Sequence, residues 1–411
     1  MLIFFLTSGL FLGWSLGAND ASNVFGPAVG SKLITFRTAA IVASIAMVLG
    51  AVLQGSGTSM TLNQLGSVNA VGGSFTVALA AAITAYMMIK LSLPVSTTQA
   101  IVGAIIGWNF FIGNKTNPIV LGKIASAWVL GPILGAIFSI ALYAALKAIK
   151  KRVNVHLIRF ESFLRGSMIV VGAFCAYSLG ANNIANVMGV FIPSFNLEPL
   201  KIGIITLSSK QQLFLLGGIS IVVGIATYSK KVMKTLGNNL LDLTTEAALV
   251  VTLAQSLVLF IFSSTGLSNF LTSIGLPPIP MVAVSSSQVI VGCIMGIGIY
   301  KGIYNINFKL LGGIALGWIT TPIIAGVISY LTLFFMRNTF NVNVGHRTVP
   351  GSDPLQMKSM PDPQLSLIFR DLLLILLILG VIVSIYYFLV EYRKYHDFTQ
   401  KEKNFWENRY K

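Results

Sequence analysis

The stretch Gly17-Ala18-Asn19-Asp20-Ala21-Ser22-Asn23-Val24 returns later in the chain as Gly180-Ala181-Asn182-Asn183-Ile184-Ala185-Asn186-Val187. A second stretch, Val95-Ser96-Thr97-Thr98-Gln99, returns as Val284-Ser285-Ser286-Ser287-Gln288. Both motifs keep their order in the second copy, which chance matches between apolar segments would not do. A repeat of this length indicates that the chain is built from two versions of one unit.

The composition is that of an integral membrane protein. Of the 411 residues, 55% are hydrophobic and only 10% are charged, whereas soluble proteins carry about 25% charged residues. Apolar runs of about 20 residues recur, as membrane-spanning helices require, and barrel strands would alternate over shorter segments. The sequence therefore predicts an all-α membrane protein, a polytopic helical bundle, and excludes a soluble enzyme.

The repeats and the polar segments between them divide the chain. The predicted organisation is a first repeat (1–146), a basic linker (147–165), a second repeat (166–336), an external loop (337–366), an extra membrane helix (367–390) and a tail (391–411). We expect each unit to begin with a helix broken at its Gly-Ala-Asn segment. Two apolar arms, within 76–112 and 245–300, follow either as re-entrant hairpins or as full spans.

Basic residues predict the orientation. The net charge of +16 is explained by loops that hold Lys and Arg on the cytoplasmic side, so no nucleic-acid partner is expected. If the linker is cytoplasmic, 19 of the 28 Lys and Arg residues lie on its side. This predicts a multi-pass protein of the plasma membrane with an external N-terminus and a cytoplasmic linker and C-terminus. Each unit then crosses an odd number of times, so the repeats are inverted, as in many secondary transporters.

Polar residues in the first repeated motif predict a cation site. An intramembrane carboxylate such as Asp20 is costly and usually marks an ion path or relay. Amide oxygens beside it suit a hard cation, and Gly17 and Gly180 would allow local unwinding that turns backbone carbonyls toward the ion. The candidate cation ligands are Asn19, Asp20, Asn23, Asn182, Asn183 and Asn186.

The second motif predicts an anion site. Pro94 disfavours helix before it and Ser96 is a good N-cap, so helices should start near residues 96 and 285. A helix start offers unpaired N–H groups and a partial positive charge to an oxyanion. Hydroxyl groups in both copies add neutral donors: Ser96, Thr97, Thr98, Ser285, Ser286 and Ser287.

The remaining candidates are weaker. Glu246 lies near a helix start, where a capping role is favoured over ion binding. Lys90 is interpreted as an interface anchor, with anion sensing as the alternative. The three histidines fall in polar loops, so we expect sodium as the only metal and no transition-metal site.

The paired motifs resemble those of the inorganic phosphate transporter (PiT) family over nearly the whole chain. This resemblance implies a sodium- or proton-coupled phosphate symporter with inverted repeats, in which the first motif serves cation coupling and the hydroxyls bind phosphate with Gln99 and Gln288 close by. It also implies a homodimer. The family usually carries Asp in both copies of the first motif, whereas this chain has Asn183 in the second. That difference leaves coupling stoichiometry and substrate charge open.

A secondary active symporter is the function that this pattern favours. A pore would show rings of like charge or a continuous polar stripe, and an enzyme would need a nucleophile with a base, so no catalytic residues are expected. Here the polar residues are concentrated in two repeated motifs, which is the pattern expected for alternating access around one central site. Sodium as co-substrate is favoured over protons, no cofactor is expected, and sulfate or another oxyanion is the alternative substrate.

Overall fold

The computed structural model describes residues 2–90, 96–152, 157–202, 205–230, 233, 243–302, 308–347, 366–375 and 378–379. The chain is almost entirely helical in this part. The helices are α1 (Leu2–Gly30), α2 (Phe36–Gln54), α3 (Ser56–Leu65), α4 (Val71–Lys90), α5 (Thr97–Ile112), α6 (Pro118–Arg152), α7 (Leu157–Met188), α8 (Ser209–Thr227), α9 (Thr245–Ser263), α10 (Thr265–Ser273), α11 (Ser286–Lys301) and α12 (Phe308–Phe340). Residues 366–375 are also helical.

Seven segments are long and apolar enough to cross a membrane in the described part of the chain. They are Phe36–Gln54, Val71–Lys90, Pro118–Arg152, Phe160–Ser194, Ser209–Thr227, Thr245–Ser263 and Gly312–Phe340. Helices α5 and α11 are apolar but shorter. The predicted polytopic helical membrane fold is therefore confirmed.

The two shorter apolar helices begin where the second motif predicts. Ser96 is the N-cap of α5, and its side chain accepts a hydrogen bond from the Gln99 amide at 3.2 Å. Ser285 caps α11 in the same way, accepting from the Gln288 amide at 3.3 Å. Each serine satisfies one of the N–H groups that a helix start leaves without a partner in the helix.

The Gly-Ala-Asn segments do not break their helices, so the prediction of local unwinding was wrong. Both segments lie within continuous helices, α1 and α7. Gly17 packs directly on the backbone carbonyl of Ile221 in α8, and Gly180 packs on that of Met47 in α2. The glycines serve close helix packing, as small residues commonly do in membranes.

In these contacts, each helix packs on a helix from the other half of the chain. Helix α1 packs on α8, while α7 packs on α2. The later helices repeat the arrangement, because α5 packs on α12 and α11 packs on α6. Gly103 of α5 lies against the Pro322 backbone, and Gly292 of α11 lies against that of Pro132. Each half therefore completes the packing of the other.

Several elements were not predicted from the sequence. Helices α3 and α10 are short, and a small antiparallel hairpin pairs Leu200–Ile202 with Ile205–Leu207, with Leu200 opposite Leu207. Much of the predicted linker is helical, since α6 extends to Arg152 and α7 begins at Leu157. The turn containing Pro94, the tail, most of the external loop and much of the extra helix lie outside the described residues.

Glu246 joins two helices at one end of the bundle. It lies in the first turn of α9, where Thr244 is the N-cap. Its carboxylate pairs with Lys147 of α6 at 3.1 Å and with Lys150 of the same helix. Glu246 is thus an acidic first-turn residue with two basic partners on another helix.

Candidate functional site

Four helices meet at the carboxylate of Asp20. This side chain is 1% exposed. Asn19 donates a hydrogen bond to Oδ1 at 2.7 Å, and Asn183 of α7 donates to Oδ2 at 2.9 Å. The side chains of Thr97 and Ser286, the first residues of α5 and α11, also hydrogen-bond to Asp20. Residues that are far apart in the sequence therefore surround one oxygen-rich point.

Asp20 has no ion-pair partner among the described residues, although the carboxylate is buried. Glu246, the other buried acidic residue in that part of the chain, has two lysines beside it. A buried charge without an opposite charge is costly. Neutral hydrogen-bond donors lower this cost but add no positive charge, so the Asp20 carboxylate is chemically suited to bind a cation.

The other repeated asparagines link the first motif to the helix starts. Asn182 donates to Asn183 at 2.9 Å and exchanges hydrogen bonds with the backbone of Val284, at 2.8 and 3.1 Å. Asn186 donates to the Thr98 hydroxyl at 2.9 Å. Asn23 lies 3.4 Å from the Ser286 hydroxyl. Not every predicted cation ligand contacts Asp20, but all five asparagines are buried within the same network.

The starts of α5 and α11 lie close together. The Thr98 hydroxyl lies 3.5 Å from the carbonyl of Val284, the residue before the N-cap of α11. The predicted hydroxyl residues and the two glutamines that follow them are all buried. Ser96 and Ser285 accept the capping hydrogen bonds, and Thr97, Thr98, Ser286 and Ser287 are the first two residues of α5 and of α11. Two helix N-termini with these hydroxyls form a region suited to an anion.

Three buried acceptor oxygens of this region have no hydrogen-bond donor among the described residues: Gln99 Oε1, Asn186 Oδ1 and Gln288 Oε1. Leaving a buried acceptor unpaired costs about 1–3 kcal/mol. Such oxygens can bind a cation or accept a hydrogen bond from a ligand. They repel the unprotonated oxygens of an anion.

Gln255 is a buried polar residue that sequence reasoning missed. It lies within the apolar helix α9 and is fully buried, and neither its amide nitrogen nor its oxygen has a partner in the part of the chain that the structure describes. One turn earlier, the Thr252 hydroxyl lies 3.3 Å from the Val24 carbonyl of α1. In the sequence, the sign of this residue is an amide side chain inside an apolar run. Thr252 and Ser256 can hydrogen-bond to the backbone of their own helix, whereas the longer Gln255 side chain does not.

Known proteins resemble this chain over most of its length. A protein of Methanocaldococcus jannaschii named "Putative phosphate permease" is 28% identical over 326 residues, covering 79% of this chain and 95% of its own length. A protein of Pyrococcus abyssi with the same description is 25% identical, with coverages of 80% and 96%. A solved structure titled "The sodium-dependent phosphate transporter" has the same fold, with a TM-score of 0.65 at 22% identity and coverages of 82% and 98%.

A family model extends the similarity to the motifs themselves. The model described as the phosphate transporter family matches residues 16–329, and again residues 270–402. The first match includes both copies of the Gly-Ala-Asn motif and both helix starts. The chain therefore belongs to the phosphate transporter family.

Proposed function

We propose that the protein is a cation-coupled symporter of inorganic phosphate that works by alternating access, with sodium as the co-transported cation. Asp20 would bind the cation together with amide oxygens of Asn19, Asn23, Asn182, Asn183 and Asn186. Phosphate would bind at the starts of α5 and α11 through Ser96, Thr97, Thr98, Ser285, Ser286 and Ser287, near Gln99 and Gln288. Inverted repeats would supply the two equivalent conformations that alternating access needs.

One observation carries this proposal. Within the described part of the chain, the buried Asp20 carboxylate has no cationic side chain beside it, and it accepts hydrogen bonds from hydroxyls at both helix starts. The carboxylate and a phosphate anion therefore need the same donors, Thr97 and Ser286. Two anions that compete for one set of donors cannot share a poorly solvated site unless a cation accompanies them.

This competition gives a physical basis for coupling. A cation bound to Asp20 neutralises the carboxylate and replaces the hydroxyl groups as its partner. The hydroxyls of Thr97 and Ser286, with the N–H groups behind them, then become available to phosphate. Cation and phosphate thus bind cooperatively, and each ligand raises the affinity for the other by the same factor.

The acceptor oxygens favour phosphate over sulfate. Near neutral pH, phosphate carries at least one P–OH group, whereas sulfate carries no proton to donate. Gln99 Oε1 and Gln288 Oε1 lack a donor in the described structure and lie in the first turns of α5 and α11. Each could accept the P–OH hydrogen bond. A site with such an acceptor discriminates against a ligand that cannot fill it.

The direct test is uptake of radiolabelled phosphate into proteoliposomes that contain the purified protein. We expect accumulation above the external concentration with an inward sodium gradient and none when choline replaces sodium. Excess sulfate should compete weakly. Accumulation driven equally well by a proton gradient without sodium would reject sodium coupling, and flux that only follows the phosphate gradient would indicate a passive pore.

Replacing Asn183 with Asp should change the cation requirement. Asn183 donates to Asp20 at 2.9 Å, so the variant would place two carboxylates in contact. Phosphate dianion and Asp20 carry three negative charges, of which two helix ends offset about one. A second carboxylate needs a further cation, so the sodium dependence of uptake should steepen or phosphate affinity should fall. Asn183→Ser removes the same hydrogen bond without adding charge and should keep the wild-type steepness. Uptake curves of Asn183→Asp that overlay the wild type would contradict the charge argument.

Replacing Gln288 with Met should weaken selectivity for phosphate. The variant loses the acceptor oxygen and keeps a side chain of similar length. A hydrogen bond between a charged ligand and the protein is worth about 1.5–3 kcal/mol, or roughly tenfold or more in affinity. We therefore expect the half-saturating phosphate concentration to rise about tenfold, while the sulfate concentration that inhibits uptake stays constant. An equal change for both anions would show that Gln288 does not read the P–OH group.

The organisation in the membrane is part of the same proposal. We place the N-terminus outside and the basic segment 147–165 and the C-terminus in the cytoplasm, with residues 1–146 and 166–336 as inverted repeats. We also propose that the protein forms a homodimer, as the family resemblance implies. Single cysteines introduced at Ser31 and Lys115 would test this orientation. Their accessibility to an impermeant thiol reagent would be measured in sealed vesicles.

A further inference from the structure

A cavity lies away from the Asp20 network, at the end of the bundle where α1 connects to α2. Its volume is about 510 Å3. Apolar residues of the α1–α2 connection and of α7 form much of its wall, and its charged lining residues are Lys32 and Arg165. Thr35 and Thr38 contribute hydroxyl groups. Among the described residues, the lining contains two positive charges, neutral donors and no carboxylate.

Neither Lys32 nor Arg165 forms an ion pair within the described residues. A third positive charge is close, because Lys230 Nζ stands 5.8 Å from the ring centre of Phe36, which also lines the cavity. Three positive charges around an apolar-walled cavity favour a ligand that combines negative charge with hydrocarbon.

Lys32 stands where the backbone favours a different residue. Its φ is +59°, and hydrogen bonds from Lys32 to Val29 and from Leu33 to Ala28 close the end of α1. This is the position after a helix at which glycine is usual, because left-handed backbone disfavours larger side chains. A lysine there places an ammonium group at the cavity that glycine could not provide.

The cavity also lies close to the ends of two candidate membrane spans. These spans begin at Phe36 and Phe160, so Lys32 precedes the first by four residues and Arg165 is the sixth residue of the second. On α2, Ile41 and Ile45 are large apolar residues that are exposed, and they follow the lining residue Thr38 by three and seven positions, so they share its face of the helix. Basic side chains above exposed apolar surface attract anionic lipids, whose leaflet carries a negative surface potential.

We propose that this cavity binds the phosphate group of an anionic phospholipid, with Lys32 and Arg165 as its ligands and the acyl chains along the exposed face of α2. The orientation proposed above puts this site in the cytoplasmic leaflet. The lipid would join the α1–α2 connection to α7 and so stabilise the bundle beside the transport helices. The same phosphate chemistry could come from free inorganic phosphate, which the test separates.

The test measures thermal unfolding of the full-length protein in neutral detergent. Short-chain phosphatidylglycerol, short-chain phosphatidylcholine and inorganic phosphate are titrated separately. We expect phosphatidylglycerol to raise the unfolding midpoint and phosphatidylcholine to have little effect. In Lys32→Asn/Arg165→Gln the half-effective concentration of phosphatidylglycerol should rise by about tenfold, given the attraction that each basic residue contributes at a membrane surface. Asn is chosen because it tolerates left-handed backbone.

Lys151→Gln is the matched control, since Lys151 lies at the exposed end of α6 and outside the cavity; its response to phosphatidylglycerol should equal the wild type. An unchanged response in the double variant, or an equal effect of phosphatidylcholine, overturns the proposal. So does a shift by inorganic phosphate that the double variant abolishes, because it identifies a free-ion site. If the double variant does not fold, Lys32→Asn alone carries the test. Phosphate uptake is a separate readout, so failure here leaves the proposed transport function untouched.

Discussion

Asp20→Asn is expected to reduce sodium-driven phosphate uptake by on the order of a hundredfold. The amide keeps the size of the side chain and can still accept hydrogen bonds from Asn19 or Asn183, which now contact the carboxylate at 2.7 and 2.9 Å. Its NH2 group can donate to the hydroxyls of Thr97 and Ser286. Only the negative charge is lost, and removing one partner of a poorly solvated charge pair costs about 3 kcal/mol or more. Uptake into proteoliposomes measures the effect.

A binding measurement separates this effect from misfolding. Sodium should raise the thermal unfolding midpoint of the wild type, because a ligand that binds only the folded state stabilises it. The midpoint of Asp20→Asn should be insensitive to sodium, with choline as the ionic-strength control. Glu246→Gln alters a buried carboxylate that already has two lysine partners and should retain the sodium response. Near wild-type uptake by Asp20→Asn would remove Asp20 from the cation site.

Gly292→Leu is expected to prevent stable folding. Gly292 lies directly against the backbone of Pro132, so a side chain there would force α11 away from α6. Overpacking a filled interior costs about 1–3 kcal/mol even when side chains can adjust, and here the neighbour is backbone. We expect loss of the monodisperse peak in fluorescence-detected size exclusion of the tagged full-length protein.

Two further glycines test this interpretation. Gly122 of α6 has no atom near the position of an added Cβ, so Gly122→Leu should keep its monodisperse peak. Gly103 contacts Pro322 as Gly292 contacts Pro132, and Gly103→Leu should fail as Gly292→Leu does. If Gly292→Leu gives as much folded protein as Gly122→Leu, the close contact between α11 and α6 is not required.

Local sequence signals predicted the helix starts well. Ser96 and Ser285 cap α5 and α11 as expected, because an N-cap depends on one side chain and the three residues after it. Apolar runs likewise predicted a polytopic helical membrane protein, since burial in lipid requires long uninterrupted helices. Membership in a transporter family confirms the expectation of a transporter, not an enzyme.

Properties that depend on distant contacts were not predictable. Gly17 and Gly180 were expected to unwind their helices, yet each holds a continuous helix against a neighbour that no local pattern identifies. The pairing of Glu246 with Lys147 and Lys150 joins residues about 100 positions apart. The motifs predicted a set of polar site residues, but the approach of Thr97 and Ser286 to one carboxylate appears only when four helices are assembled.

The exchange of helix partners between the halves has a consequence for biosynthesis. Gly17 finds its neighbour in α8 only after about 200 further residues have been made, which at about 5–20 residues per second takes on the order of 10–40 s. Until α7 is made, the first half resides in the bilayer with the surfaces of α1 and α2 uncovered and Asp20 without Asn183, and α1 waits longer for α8. Translation speed and membrane chaperones therefore act on an incomplete bundle, and a chain that stops in the linker should be degraded as an orphan.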